Sequence, residues 1–410
     1  MKEERGHPPT VTISRRGAER VRAGHVWVYR SDVLESQDVS PGALVRVQEQ
    51  ADKSDRNIRP TRSRLLGTAF YSTRSEIALR MLSRNRIDDL DQLLRTRIRD
   101  AIEYRERFVG NSNAYRVIFS EGDFLPGLIV DRYNDILSMQ VLTQAMDSEH
   151  MRELVISELK ERLQPSSIVE RVDQRVRRLE QLPEKESGPV WPKGSSQGPI
   201  TTELRMNGLR FFYEALGTQK TGSFLDQREN YAAAEQYARG EALDVFCYQG
   251  GFALHLARVC DKVTGVDSSR PALELAEKNA GLNGREMEWI EANAFDLLRD
   301  YSDAGRLYDC IVLDPPAFAK SKRDLPRALR AYKELNLRAL KMLRPGGVLV
   351  TCSCSYHVSG TDLLEVVASA AQDSHRFVRI LENRGAAKDH PSVPGIPETA
   401  YLKCLVVLVS

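Results

Sequence analysis

The chain has 410 residues, 41% hydrophobic and 28% charged, with a formal net charge of +2. That length exceeds one ordinary core and predicts two or three domains. No apolar run approaches the roughly 18 residues of a membrane span, and the opening MKEERGHPPTVTISRRG lacks the apolar core of a secretory signal, so a soluble cytoplasmic protein is expected.

All six cysteines lie between Cys247 and Cys404, too clustered for a disulfide framework. Cys352-x-Cys354 is one residue short of the usual zinc spacing, and no metal is expected. Residues 1–90 hold 17 Lys/Arg against 12 Asp/Glu, leaving 42 against 45 in the remainder. The excess suits a surface that meets phosphate, and equally a solvated face.

The segment to about Leu82 reads as short strands, VTISRRGAERVRAGHVWVYRSDV, GALVRVQEQ, LLGTAFYS and EIALRML, which predicts a small β-barrel or sandwich. The polar, basic insert at 51–64 reads as a hairpin tip. Apolar residues Leu90, Leu93, Leu94, Ile98, Ile102 and Phe108 keep helical spacing, and Asp88 and Asp89 suit the positive end of that helix. A strand pair, a helix near 148–163 and the strand SSIVERVD complete an α+β segment. The stretch 182–199, rich in Pro, Gly, Ser and charge, reads as a linker. The expected domains are therefore 1–84, 85–200 and 201–410.

From Thr202 onward, near-continuous Val/Ile/Leu strands alternate with amphipathic helices, the pattern of a Rossmann-like α/β domain with a parallel sheet covered on both faces. The strand ALDVF runs into CYQGGF, where Gly250 and Gly251 allow a tight turn close to a ligand. Asp267 ends the next strand, 23 residues after Asp244, where a doubly wound sheet binds ribose hydroxyls. The dinucleotide fingerprint G-x-G-x-x-G is absent, so an adenosine linked to an uncharged methionine arm, S-adenosylmethionine, fits better than a pyrophosphate. The neighbours Phe246, Ser268 and Ala294 fall in the same pocket by position, and Asn293 is placed to meet the adenine edge. As single residues, Asp244, Asp267 and Asn293 also read as a strand-end acid, a helix cap and a turn residue.

The reaction half is Cys310–Gly360. Asp314 ends an apolar strand and is followed by Pro315 and Pro316, and Cys354 lies just past the strand GGVLVTCS. A thiolate that adds to C6 of a cytosine makes C5 nucleophilic toward a methyl sulfonium, and a nearby acid stabilises the adduct. Cys354, at the polar turn SYHVSG, is the better nucleophile, whereas Cys352, within the strand, reads as packing. The same Asp-Pro-Pro, followed by Ala317 and then Phe318, also resembles the loop of amino-group methyltransferases, which need no cysteine. Phe318 is placed to stack on a base, and Lys320 and Lys322 to meet phosphates.

These residues carry a family resemblance. SEGDFLPGLIVDRYNDIL (120–137), GTQKTGSFLDQRENY (217–231), DVFCYQGGFALHLA (244–257), VLDPPAFAKSK (312–322), RPGGVLVTCSCS (344–355) and DHPSVPGIPETAYLKCL (389–405) together resemble the bacterial 23S ribosomal RNA large-subunit cytosine-C5 methyltransferases with an N-terminal PUA domain. The resemblance implies a PUA-like module, a central α+β domain and a catalytic domain, with 23S rRNA or a large-subunit precursor as partner. It leaves open a homodimer. It implies that Cys354 is the nucleophile and that Gln219, Lys220, Phe224, Asp226 and Arg228 flank the cofactor pocket. Asn293 stands where many relatives have Asp.

Overall fold

The computed structural model describes residues 8–36, 38–51, 64–192, 198–217 and 223–410. Gln219, Lys220 and nearly all of the 51–64 insert lie outside the described residues. The chain forms two compact units.

The first unit comprises 1–108, 116–200 and 392–399, so the β-rich and α+β segments expected as separate domains fall within it. A six-stranded sheet buries Val11, Ile13, Val28, Val45, Val47 and Leu79, as the alternating strand pattern requires. Between its first two strands the chain forms a helix, Arg15–Arg22, that the strand reading missed. Ser14 caps it by accepting from the Gly17 N–H, and Ala18 and Val21 are its buried stripe. The expected helix is Leu90–Phe108, with the Asp89 carboxylate accepting from the Gln92 N–H. Part of the expected linker is an edge strand, Gly188–Trp191, paired antiparallel to Ser167–Glu170. Ile396, from the landmark near the C-terminus, is fully buried in this unit's core.

The second unit comprises 109–115, 201–391 and 400–410. Its main sheet has seven strands: β1 (Glu241–Val245), β2 (Lys262–Asp267), β3 (Glu288–Glu291), β4 (Tyr308–Leu313), β5 (Leu343–Ser353), β6 (Val378–Arg384) and β7 (Lys403–Val409). They lie in the order β3-β2-β1-β4-β5-β7-β6. The first five are mutually parallel, and β7 runs antiparallel between β5 and β6. The expected parallel sheet is β1 to β5, and the antiparallel β7 with β6 beyond it extends the sheet. The helix Gly360–Asp373 and the last two strands follow it.

The strands lack an apolar/polar alternation because both faces are covered. Leu243, Val245, Ile311, Leu313 and Leu349 face one side with the helices Ala294–Asp303, Leu325–Met342 and Gly360–Asp373. Ala242, Cys310, Val312, Val350, Cys352 and Cys404 face the other with Arg228–Tyr237 and Gly251–Leu256. Among the described residues, no helix is long and apolar enough to cross a membrane.

Candidate active site

Parallel strands whose order reverses between β1 and β4 leave a crevice beyond their C-terminal ends. Asp267, ending β2, and Asp314, just after β4, stand there level with each other, while Asp244 lies one residue inside the end of β1. The turn after β1 is tightly constrained. Phe246 and Tyr248 hold positive φ, 67° and 50°, which bulky residues adopt only when surroundings impose it. Here Val266 O accepts from the Phe246 and Cys247 N–H groups, and Asp267 Oδ2 accepts from the Tyr248 N–H at 2.9 Å. Asp267 Oδ1 takes the Ser269 N–H at 2.9 Å. This acid therefore splices the two turns that frame the crevice, and a carboxylate keeps further lone pairs for ribose hydroxyls. The glycine pair answers mainly to protein packing. Gly250 has φ +84°, and a Cβ on Gly251 would come within 2.5 Å of the Tyr231 ring.

Asp244 is fully buried. Its Oδ2 accepts from the Ala253 N–H at 2.8 Å, and its Oδ1 has no partner among the described residues. Burial, against that one hydrogen bond and helped by Asp314 and Asp267, pushes the carboxyl up to about 8. Asn293 Oδ1 caps the helix Ala294–Asp303 by accepting from Phe295 N–H at 2.9 Å. That is the helix-end role the residue type suggests.

The reaction half lies on β4 and β5. Asp314 accepts from Gln227 Nε2 at 2.9 Å. Burial, with Asp226 adding to it, pushes its carboxyl up to about 7. Cys352 is 0% exposed, lies opposite Cys404 in the core and has its thiol raised well above the ordinary range by burial. Cys354 is past the end of β5, partly exposed, with Sγ 3.8 Å from the Pro315 carbonyl. The two cysteines thus have different surroundings, because the strand stops between them. Burial, then Asp314 and Asp226, push the Cys354 thiol up to about 12.

Other expected residues are placed differently. Arg228 is buried in a bidentate pair with Asp389, at 2.9 and 3.0 Å. Its guanidinium secures the helix behind Asp226 and Gln227. Phe318 packs its ring against Tyr332 and Phe295, centroids 4.9 and 5.9 Å apart. Pro316, Lys320 and Lys322 are exposed, while Pro315 is buried. Phe224, at 41% exposure, meets the Tyr248 ring edge-on at 5.0 Å.

Sequence reasoning missed Gln227, Tyr248, Tyr401 and Lys403. The Tyr401 hydroxyl donates to Asp226 at 2.6 Å, and Asp226 is the neighbour that raises Asp314. A hydroxyl relay, Ser353 to Tyr332 at 3.0 Å and Tyr332 to Ser355 at 3.1 Å, ties the Cys354 turn to the helix Leu325–Met342. A glutamine beside the Asp226 landmark was a readable signal. The pairing of Tyr401 and Lys403 with residues far back in the chain was not.

A constrained turn after β1, acids level with each other after β2 and β4, and a buried acid near the end of β1, on this strand order, suit an S-adenosylmethionine-dependent methyltransferase. The orphaned Asp244 oxygen and the acidic lining suit a cationic cofactor with ribose hydroxyls. Comparison with known proteins agrees. Residues 162–407 match the S-adenosylmethionine-dependent methyltransferase family, and residues 11–54 match a PUA-like domain. The chain is 36% identical over 406 residues to ribosomal RNA large subunit methyltransferase I of Tolumonas auensis, covering 97% of this chain and 98% of that protein. It is 38% identical over 393 residues to the protein of that name from Aeromonas hydrophila, covering 93% and 95%. A structure designated as a SAM-dependent methyltransferase from Streptococcus mutans superposes with TM-score 0.78 at 16% identity, covering 98% of this chain and 100% of that one, and so shares the fold. The chain belongs to the S-adenosylmethionine-dependent methyltransferase family, in the group whose curated members are named ribosomal RNA large subunit methyltransferase I.

Proposed function

We propose that the protein methylates C5 of a cytosine in large-subunit ribosomal RNA, 23S rRNA or its precursor, through a covalent adduct on Cys354. One observation carries the reading. The single cysteine that leaves the core at a strand end has its sulfur 3.8 Å from the carbonyl of Pro315, the residue after Asp314. A nucleophile and an acid on adjacent strand ends suit one pyrimidine ring held between them. The names of the relatives and the PUA-like segment support ribosomal RNA as the substrate.

Bound S-adenosylmethionine supplies an electrophilic methyl group. The chain's residues do the rest. Asp267 would hold the cofactor's ribose hydroxyls, Asn293 would meet the adenine edge, and Asp244 would face the positive charge. Cys354 Sγ, as thiolate, forms a bond to C6 of the cytosine, and the electron pair moves toward N3 and C5. Asp314, protonated near neutrality because it is raised to about 7, stabilises N3 by donating a proton. C5 then attacks the methyl group, whose bond to the sulfonium sulfur breaks to leave a neutral thioether; a base takes the C5 proton, the C6–S bond breaks, the thiolate leaves, and N3 returns its proton to Asp314. Pro315 and Pro316 stiffen the loop that carries the acid.

The test is a Cys354→Ala protein assayed on ribosomal RNA with labelled cofactor, with mass spectrometry of the modified nucleoside. Loss of 5-methylcytidine formation is expected. Undiminished turnover, or a methyl on the exocyclic nitrogen, rules out the thiol route.

A further inference from the structure

Lys403 lies on β7, opposite Ser353 of β5. It is only 9% exposed, yet its ammonium forms no ion pair with a carboxylate among the described residues. Nζ donates instead to two neutral acceptors, Ser355 O at 2.6 Å and Tyr401 O at 2.7 Å. A buried ammonium without a counter-charge is costly. Something nearby must make the charge worth holding. The Ser355 carbonyl belongs to the residue directly after Cys354, so the cation sits beneath the turn that presents the sulfur.

We propose that Lys403 is a positioning residue for Cys354: it pins the turn through the Ser355 carbonyl and provides the positive charge against which the sulfur ionises. The inference rests on the covalent reading given above. The groups around Cys354 make the need plain. Asp314 from the loop after β4 and Asp226 from the 3-10 turn Leu225–Gln227 both oppose a thiolate. The Tyr332 hydroxyl, from the helix Leu325–Met342, is bonded to Ser353 and Ser355. Lys403 is the cation that favours the thiolate. Burial pulls the Lys403 ammonium down to about 8, while Cys354 and Asp362, on the helix Gly360–Asp373, hold it up. It is therefore still mostly charged at neutral pH.

The test uses the full chain and does not depend on turnover. The rate of Cys354 alkylation by iodoacetamide is followed from pH 7 to 10 by peptide mass spectrometry. Wild type is compared with Lys403→Met, Lys403→Gln and Lys403→Arg. Below its midpoint the rate follows the thiolate fraction, tenfold per pH unit. Loss of the charge should slow Cys354 by about tenfold at pH 7, one unit of thiol pKa, with the gap closing above pH 8 as wild-type Lys403 sheds its own proton, and the arginine variant should recover most of the rate. A merely structural role predicts the opposite sign, because a loosened turn exposes the sulfur and speeds its reaction. The glutamine variant retains a donor for the carbonyls and carries the test if the methionine variant does not fold. An unchanged or faster Cys354 in Lys403→Gln overturns the proposal. Full methylation by Cys354→Ala would instead sink the covalent reading and leave this alkylation result standing.

Discussion

Replacing Arg228 by methionine separates two roles for that residue. Its guanidinium is 2% exposed and its partner, the Asp389 carboxylate, 0%. The pair makes two hydrogen bonds of 2.9 and 3.0 Å. Removing one member of such a pair leaves the other buried and uncompensated, which costs about 3–5 kcal/mol. The pH dependence has a definite sign. Burial works to raise Asp389, but His390 and Arg228 hold its carboxyl well below the usual carboxylate range. In the wild type that stabilisation is fully present above the ordinary carboxylate pKa and is lost only in acid. Without Arg228 the buried carboxyl rises, so its contribution is lost as pH increases. The deficit of Arg228→Met should therefore widen between pH 5 and pH 7.5. Urea unfolding can be followed by Trp289, the one tryptophan of the second unit, in a background with Trp27→Phe and Trp191→Phe. Adding Asp389→Leu should recover most of the loss, since an apolar pair carries no desolvation cost. A deficit below about 1 kcal/mol, together with a large fall in cofactor affinity, would refute the reasoning and return Arg228 to the pocket.

Further outcomes follow from the same geometry. Cys352→Ala should lose about 1–2 kcal/mol of stability, the usual scale for a small core deletion, while retaining methyl transfer; abolished transfer in a folded Cys352→Ala would exchange the roles of the two cysteines. Cofactor binding should release protons, because Asp244, raised to about 8, ionises against a cation, while Asp314 keeps its proton for N3. Affinity should then rise between pH 6 and 8.5, and calorimetry in two buffers of different ionisation enthalpy measures the release; zero release contradicts the assignment. Gln227→Leu removes the donor that lowers Asp314 and should move the alkaline limb of the methyl-transfer pH profile to higher pH, read with labelled cofactor. Without cofactor, the raised acids stabilise the fold below the ordinary carboxylate range, and that contribution is lost as pH rises through 7 to 8; thermal midpoints measured with and without cofactor should diverge most at the alkaline end.

Much of this protein was legible along the chain. Apolar strands ending in Asp244, Asp267 and Asp314 announce a doubly wound sheet with its crevice, because strand period and strand-end chemistry are local properties. The stop of the apolar run before Cys354 separates that residue from Cys352 for the same reason. What the tertiary structure decided are the pairings between distant segments. Arg228 finds its buried partner, Asp389, far along the chain. Ser14 and Val21 carried helix signals, but two arginines and a glycine made the segment look like a break between strands. The antiparallel β7 has no signature separating it from another parallel strand, since both are buried on two faces. Yet its insertion beside β5 brings Lys403 beneath the Cys354 turn. Local pattern names the groups that can react, and packing across the sheet determines which charges those groups meet.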